Sequence, residues 1–135
     1  MITGKAKDCL DVVGGKLLQG RADKVFKGVS INSRTVEEEE LFVCIQGEKF
    51  DGHNFLGEAI KKGAAGVILS NPSYLSEDMT GEENSPFVIR SQNTLRALQD
   101  LASYQRTRFP FKVIAVTGTN GKSTTKEMIA SIIET

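Results

Sequence analysis

The segment VIAVTGTNGKSTTKEMIA, at positions 113–130, constrains this chain more than any other feature. An apolar run gives way to a loop with two glycines, and apolar residues on one helical side follow. Because glycine carries no side chain, successive backbone N–H groups of such a loop can converge on an anion. The first turn of the following helix adds unpaired N–H groups and a positive dipole end. The segment therefore predicts a phosphate-binding strand, loop and helix.

The loop also contains the side chains that a nucleotide triphosphate requires. The Lys122 ammonium suits the β- and γ-phosphates, and the Ser123 hydroxyl is placed to coordinate the Mg²⁺ that bridges them. The general pattern GxxxxGK[ST] has a glycine where this chain has Val116, so only its second half and Gly118 are present. A loop whose glycines serve only to turn the chain is the alternative. We predict that Lys122 is catalytic, that Ser123 binds the metal, and that the ATP phosphates contact Thr117, Gly118, Thr119, Asn120, Gly121, Lys122, Ser123 and Thr124.

Composition narrows the class of protein. The 135 residues suffice for one domain and a stub of another. Apolar residues make up 39%, and 17 basic residues balance 17 acidic ones, which predicts a globular protein and gives no reason to propose nucleic acid. No run of about twenty apolar residues exists, so we expect a cytoplasmic protein without a membrane span.

The two cysteines and the single histidine favour structural roles over a metal site. Cys9 and Cys44 are far apart in sequence and lie among apolar neighbours, as reduced core thiols do. A single disulfide between them is the alternative. His53 is distant in sequence from both, which argues against a zinc cluster.

Hydrophobic patterns predict an α/β fold: a small mixed sheet with helices on its faces. Strand-like runs alternate with helical patterns, and a Pro-marked change of composition near residues 109–111 suggests a domain boundary. We predict domains at 1–109 and 110–135, the second being the first β-loop-α unit of a P-loop ATP-binding domain. The predicted helices are a short one ending near Gly14 and Gly15, one from Asn54 to about Lys62, and one from Asn93 or Thr94 to about Arg106. The predicted strands cover residues 24–31, 41–45, 64–70 and 86–90, with a surface loop at 71–85.

Two parts of the sequence resemble one enzyme family. TGTNGKST is similar to the ATP loop of the Mur ligases and of their relatives, the folylpolyglutamate synthases. Upstream, VSINSRTVEEEELFVCIQGEKFDGHNFLGEAIKKGAAGVIL resembles the amino-terminal substrate domain of the muramyl-peptide ligases that add the third residue or the terminal dipeptide. The segments NTLRALQDLASYQRTRF and TTKEM are most similar to the dipeptide-adding members.

The resemblance implies an ATP-dependent amide ligase of peptidoglycan precursor synthesis. In such enzymes ATP and Mg²⁺ convert the terminal carboxylate of a UDP-N-acetylmuramoyl peptide into an acyl phosphate, which the amine of D-Ala-D-Ala attacks. The alternatives are the family member that adds the third residue and a noncatalytic UDP-sugar-binding module. The family's central domain continues beyond its phosphate loop, and a third domain carries the amine. We therefore expect the 135-residue chain to be monomeric and, by itself, inactive.

The resemblance also implies where the substrate's UDP end binds. The residues that match this part of the family's substrate domain are Ser33, Arg34, Gly47, Glu48, Phe50, Asp51, Gly52 and His53. Arg34 offers planar donors to phosphate, while Ser33, Asp51 and His53 can hydrogen-bond sugar or uracil groups.

Each of these residues also has a structural alternative. Arg34 can pair with Glu37 or Glu38 in the acidic run at residues 37–40, which is itself typical of a solvated face. Asp51 and its following glycine can simply form a turn. His53 can be a loop histidine whose ring is satisfied by backbone groups.

Overall fold

The computed structural model describes residues 3–79 and 85–108 and has the predicted mixed α/β architecture. Two sheets and three α-helices account for most of the described chain, with three short 3-10 turns between them. The helices are α1 (Ala6–Val13), α2 (Leu56–Lys61) and α3 (Thr94–Arg108). The strands are β1 (Thr3–Lys5), β2 (Lys16–Gln19), β3 (Val25–Lys27), β4 (Val29–Ser30), β5 (Leu41–Val43), β6 (Gly66–Leu69) and β7 (Phe87–Arg90). The 3-10 turns are Gly52–Phe55, Pro72–Tyr74 and Glu77–Met79.

The main sheet has the strand order β2-β7-β6-β5-β4. Its last four strands are mutually parallel, whereas β2 pairs antiparallel with β7 at one edge. The small second sheet pairs β1 with β3 in antiparallel fashion. All four parallel strands therefore end at the same edge of the main sheet, which we call the carboxyl edge.

Helices cover both faces of the main sheet because its central strands are apolar on both faces. Side chains alternate along each strand, so Leu41 and Val43 face one way and Phe42 the other. The first face packs against α1 and α3, and the second packs against α2. The result is a three-layer arrangement in which the sheet lies between one helix and a pair of helices.

One glycine permits a close contact between two neighbouring strands of the main sheet. Gly66 on β6 lies directly opposite Phe87 on β7, and a Cβ at Gly66 would overlap the Phe87 ring. That ring also contacts the ring of Phe26, with centroids 6.2 Å apart, which ties the small sheet to the core. The absence of a side chain at Gly66 is therefore required by packing.

The predicted core thiols are confirmed. Cys9 on α1 and Cys44 after β5 are buried and not joined by a disulfide. Burial, aided by the negative charges of Asp8 and Asp51 respectively, raises the pKa of each thiol to about 12. Both side chains act as small apolar residues within the two halves of the core.

The ends of α1 and α3 follow the predicted signals. The backbone N–H of Gly14, in the left-handed region at φ 66°, donates to the carbonyl of Leu10 and ends α1. The Asn93 side chain accepts from the backbone N–H of Arg96 at 3.0 Å and begins α3. Strand β2, which follows α1, was not predicted.

Two other predictions were wrong in detail. Residues 24–31 form two strands in different sheets, and the strand pairing is interrupted at Gly28, where φ is 98°. The helix predicted from Asn54 begins instead as a 3-10 turn whose cap is Asp51, and α2 follows from Leu56. The carboxylate of Asp51 binds a backbone N–H two residues onward, which moves the start of the helical segment upstream.

Within the described part of the chain, no helix combines the length and apolar character needed to cross a membrane.

Candidate functional site

The predicted UDP residues lie on segments that leave the carboxyl edge of the main sheet. Residues 31–36 follow β4, residues 44–55 follow β5, and residues 70–75 follow β6. In α/β sheets, ligands bind in the crevice beyond the carboxyl ends of the parallel strands. The structure thus places Ser33, Arg34 and the 47–53 residues beyond the carboxyl ends of these strands.

Residues 46–52, which we call the 46–52 turn, form a compact projection braced at its base. The Gly47 N–H donates to the Phe50 carbonyl at 2.7 Å, and the Gly52 N–H donates to the Ile45 carbonyl at 2.8 Å. Gln46 and Asp51 form an antiparallel bridge between the two sides. A Cβ on Gly52 would lie 2.7 Å from the Ile45 nitrogen, so this close approach needs glycine.

The tip of the turn presents an aromatic ring to solvent. Phe50 is 70% exposed, and its ring lies 6.5 Å from that of half-exposed Phe55 at a 54° tilt. Gly47 and Glu48 beside it are also exposed. An exposed aromatic ring offers a ligand a large contact area, and little side-chain conformational entropy is lost when the ligand binds to it.

His53 lies beneath the turn and is buried, with a side chain only 2% exposed. Its Nδ1 is 2.6 Å from Asp51 Oδ1, and its Nε2 accepts from the backbone N–H of Ser70 at 3.0 Å. The Asn71 N–H approaches Nε2 at 3.4 Å, and the Tyr74 ring lies 5.0 Å away. Both ring nitrogens are therefore engaged by the protein, as the structural alternative for His53 expected.

The Asp51 carboxylate is stabilised in its charged form. Partial burial alone would raise the pKa of Asp51, but hydrogen bonds from the backbone N–H and the ring of His53 outweigh it. A hydrogen bond from Tyr74 acts in the same direction, and the pKa of Asp51 lies below its ordinary value. Asp51 thus caps the 3-10 turn and holds the His53 ring at once.

The two predicted residues after β4 differ in their surroundings. Ser33 is buried, and its hydroxyl donates to the Glu58 carboxylate on α2 at 3.2 Å. The Arg34 side chain is exposed, and among residues 3–79 and 85–108 it has no ion-pair partner. The alternative, in which Arg34 pairs with Glu37 or Glu38, is therefore not observed in this part of the chain.

Lys62 fixes the backbone of this segment. Its ammonium donates to the carbonyl oxygens of Ser33 at 2.7 Å and Arg34 at 2.9 Å, and it lies 3.5 Å from the Glu58 carboxylate. The Asn32 side chain accepts from the Arg34 N–H at 2.9 Å. These contacts hold the Arg34 backbone while its guanidinium extends into solvent.

The acidic run at residues 37–40 forms a mostly solvated face, as predicted. Residues 37–39 are exposed, and Glu39 pairs with Lys27 at 3.0 Å between side chains that are both more than half exposed. Exposed pairs of this kind contribute about 0–1 kcal/mol. The run therefore stands apart from the contacts that shape the site.

Sequence reasoning missed the residues that support the predicted ones. Glu58 and Lys62 were read only as parts of a helix, although they lie four residues apart on the side facing Ser33. Ser70 and Asn71 were assigned to a strand end and a loop, and the turn signal Asn-Pro after an apolar strand was the available clue. The predicted ATP-binding residues 117–124 lie outside the described residues.

A family model and individual relatives match this chain. The model described as "Mur ligase family, catalytic domain" matches residues 25–106. The chain is 35% identical over 136 residues to the UDP-N-acetylmuramoyl-tripeptide--D-alanyl-D-alanine ligase of Bacillus subtilis, covering 100% of this chain and 28% of that protein. It is 33% identical over 130 residues to the UDP-N-acetylmuramoyl-L-alanyl-D-glutamate--2,6-diaminopimelate ligase of Clostridium perfringens, covering 95% of this chain and 25% of that protein.

Structural comparison agrees on the fold. A crystal structure of MurF from Acinetobacter baumannii superposes with a TM-score of 0.66 at 22% identity, covering 80% of this chain and 22% of that one. The chain thus spans about a quarter of the length of the relatives that it matches.

Proposed function

The chain belongs to the Mur ligase family, and we propose that its described part binds the UDP end of a UDP-N-acetylmuramoyl peptide for an ATP-dependent amide ligase of peptidoglycan precursor synthesis. The relatives that are 33% and 35% identical carry names of ligases acting on such UDP-muramoyl substrates. The proposal assigns the UDP moiety to the carboxyl edge of the main sheet.

The observation that carries this proposal is the state of Arg34. Its backbone is held by Lys62 and Asn32, yet its guanidinium is exposed and without an ionic partner among the described residues. A guanidinium of this kind suits a diphosphate, since its planar fork matches phosphate oxygens with two parallel hydrogen bonds. The diphosphate therefore binds at Arg34.

The uracil end of the ligand requires a different surface. The exposed ring of Phe50 is a flat apolar face on a braced turn, and a nucleobase stacked on an aromatic side chain gains about 1–3 kcal/mol. Gly47, Glu48 and Gly52 shape the turn that holds this ring. Phe50 thus contacts the uracil base, and Arg34 contacts the diphosphate.

The reaction itself depends on the sequence downstream. Residues Thr117, Gly118, Thr119, Asn120, Gly121, Lys122, Ser123 and Thr124 would bind ATP, with Lys122 beside the transferred phosphoryl group and Ser123 on Mg²⁺. The γ-phosphoryl group passes from ATP to the substrate carboxylate and leaves ADP; an amine nitrogen then attacks the acyl carbon, and phosphate leaves as the nitrogen loses a proton and the amide forms. Activation is needed because a carboxylate is a poor electrophile.

We propose D-Ala-D-Ala as the amine and UDP-N-acetylmuramoyl tripeptide as the acceptor. The segments at residues 93–109 and 124–128 support this choice, whereas the match to a diaminopimelate-adding relative favours addition of the third residue instead. The protein that carries this chain should release phosphate with the tripeptide substrate and D-Ala-D-Ala. Phosphate release only with the dipeptide substrate and 2,6-diaminopimelate would assign it to the other reaction.

Calorimetry with UDP tests the binding proposal on the 135-residue chain. We expect saturable heat of binding for the wild type. The affinity for UDP should fall at least tenfold in Arg34→Ala, because charge-assisted hydrogen bonds contribute about 1.5–3 kcal/mol. Arg96→Ala is the matched control, since Arg96 is also an exposed arginine but lies on α3. Equal binding by Arg34→Ala and the wild type would refute the role of Arg34.

A further inference from the structure

The buried ring of His53 connects two segments that leave the carboxyl edge. Through Nδ1 it bonds Asp51, which ends the 46–52 turn after β5, and through Nε2 it bonds Ser70, which follows β6. Asn71, also near Nε2, accepts from the N–H and hydroxyl of Ser73 and so begins the next 3-10 turn. The His53 ring therefore contacts both segments directly.

The partners of the ring determine its protonation. A backbone N–H can only donate, so Nε2 must present its lone pair to Ser70. The remaining proton then resides on Nδ1 and is donated to the Asp51 carboxylate 2.6 Å away. The contacts thus require the neutral Nδ1–H tautomer.

These contacts leave the ring no chemistry to perform on a ligand. Ser70 Oγ lies 3.3 Å from Nε2, so Ser70, His53 and Asp51 superficially resemble a nucleophile, base and acid. However, the His53 side chain is 2% exposed, and its only lone pair already accepts from a backbone amide. A general base needs that lone pair for the proton it removes.

We propose that His53, as the neutral Nδ1–H tautomer, is a positioning residue that locks the 46–52 turn to the end of β6 and thereby fixes the UDP-binding surface. This inference rests on the proposed function for its ligand. The link from Nε2 to Ser70 is the essential one, because it spans two different strand ends, whereas the Asp51 contact lies within one segment. Without that link, the turn that carries Phe50 keeps only the hydrogen bond from Tyr74 to Asp51 as a described side-chain hydrogen bond to the segment after β6.

Two amide substitutions separate the two ring contacts. In His53→Gln the side-chain oxygen reaches the position of Nε2 and can accept from Ser70, while in His53→Asn the side-chain nitrogen replaces Nδ1 and can donate to Asp51. We expect His53→Asn to weaken UDP binding about tenfold and His53→Gln to retain most of it, since a lost hydrogen bond to a buried group is worth about one factor of ten. Ser70→Ala is the control, because it removes the hydroxyl and keeps the N–H.

The single histidine of the chain makes a direct spectroscopic test possible. Nitrogen-15 NMR of the untagged wild-type chain should show one imidazole with a protonated Nδ1 and an unprotonated Nε2, and the Ser70 amide should be protected from hydrogen exchange. This readout does not require any variant to fold. An Nε2–H tautomer, a freely exchanging Ser70 amide, or wild-type UDP affinity in a folded His53→Asn chain would overturn the inference.

The two proposals fail in distinguishable ways. Absence of UDP binding by the wild-type chain would overturn the proposed ligand, whatever the tautomer of His53. Normal UDP binding together with an Nε2–H tautomer would overturn only the positioning role. Loss of UDP binding in Ser70→Ala to the same extent as in His53→Asn would also overturn it, because the hydroxyl would then be the important group.

Discussion

The two segments predicted to contact UDP use their polar groups in opposite ways. After β4, Arg34 extends an exposed guanidinium from a backbone that Lys62 holds. After β5, Asp51 and His53 direct their polar atoms inward to each other and to Ser70, whereas the tip of the turn with Phe50 is exposed. The first segment offers charge to a ligand, and the second offers a rigid shape. A sequence motif can therefore indicate where a site lies even though most of the motif's residues hold the site in shape and do not face the ligand.

The largest effect is expected where the second segment has no room to adjust. In Gly52→Ala the new Cβ would lie 2.7 Å from the Ile45 nitrogen and 3.1 Å from the Cys44 Cα, both backbone atoms. We expect the free energy of unfolding to fall by about 3 kcal/mol, the upper range for overpacking, with loss of UDP binding. Chemical denaturation measures the free energy of unfolding. In the control Gly57→Ala, the Cβ meets only the flexible end of Met79, so stability should be retained.

An intermediate effect is expected from the partly buried carboxylate of Asp51. Asp51→Asn should lower the free energy of unfolding at neutral pH by about 2 kcal/mol, because the carboxylate accepts bonds from the backbone and ring of His53. The exposed Asp23, which pairs with Arg21, provides the control Asp23→Asn, for which we expect no measurable change.

The pH dependence of that difference follows from the lowered pKa of Asp51. A carboxylate whose folded-state pKa lies below its unfolded value of about 3.9 stabilises the protein above that value. The contribution is lost as pH falls through the folded-state pKa. The stability difference between wild type and Asp51→Asn should therefore be constant near neutrality and shrink in acid; a difference that grows in acid would contradict this account.

The smallest effect is expected at the tip of the turn. Phe50→Ala should weaken UDP binding about fivefold, the lower range for loss of one stacked base, while leaving the unfolding midpoint unchanged. Leu95→Ala is a suitable control, since Leu95 is an exposed apolar residue on α3. A large loss of stability in Phe50→Ala would mean that Phe50 supports the fold of the turn and is not free for a ligand, and the comparison would fail.

Sequence patterns predicted the helices and the sheet of this fold better than the points where individual elements begin and end. Helices α1 and α3 were recognised because their apolar spacing and their end signals at Gly14 and Asn93 are local. The break at Gly28 was missed, since only pairing with distant strands separates β3 from β4. The cap at Asp51 was missed because both Asp51 and Asn54 are good capping residues, and the choice depends on tertiary contacts.

The candidate site also has features that the local sequence predicts and features that depend on tertiary contacts. Its location could be predicted from the motif residues, but their roles depend on burial that a sequence does not encode locally. Nothing in the sequence around Ser70 indicates that its amide meets His53, because the two residues are brought together only by the pairing of β5 with β6.

Mapping of amide chemical shifts during titration of the chain with UDP tests the central claim most directly. The account predicts saturable changes at residues 33–34, 47–53 and 70–71, all at the carboxyl edge, with α1 and α3 unaffected. Changes confined to α1 and α3, or no saturable change at the carboxyl edge, would contradict it.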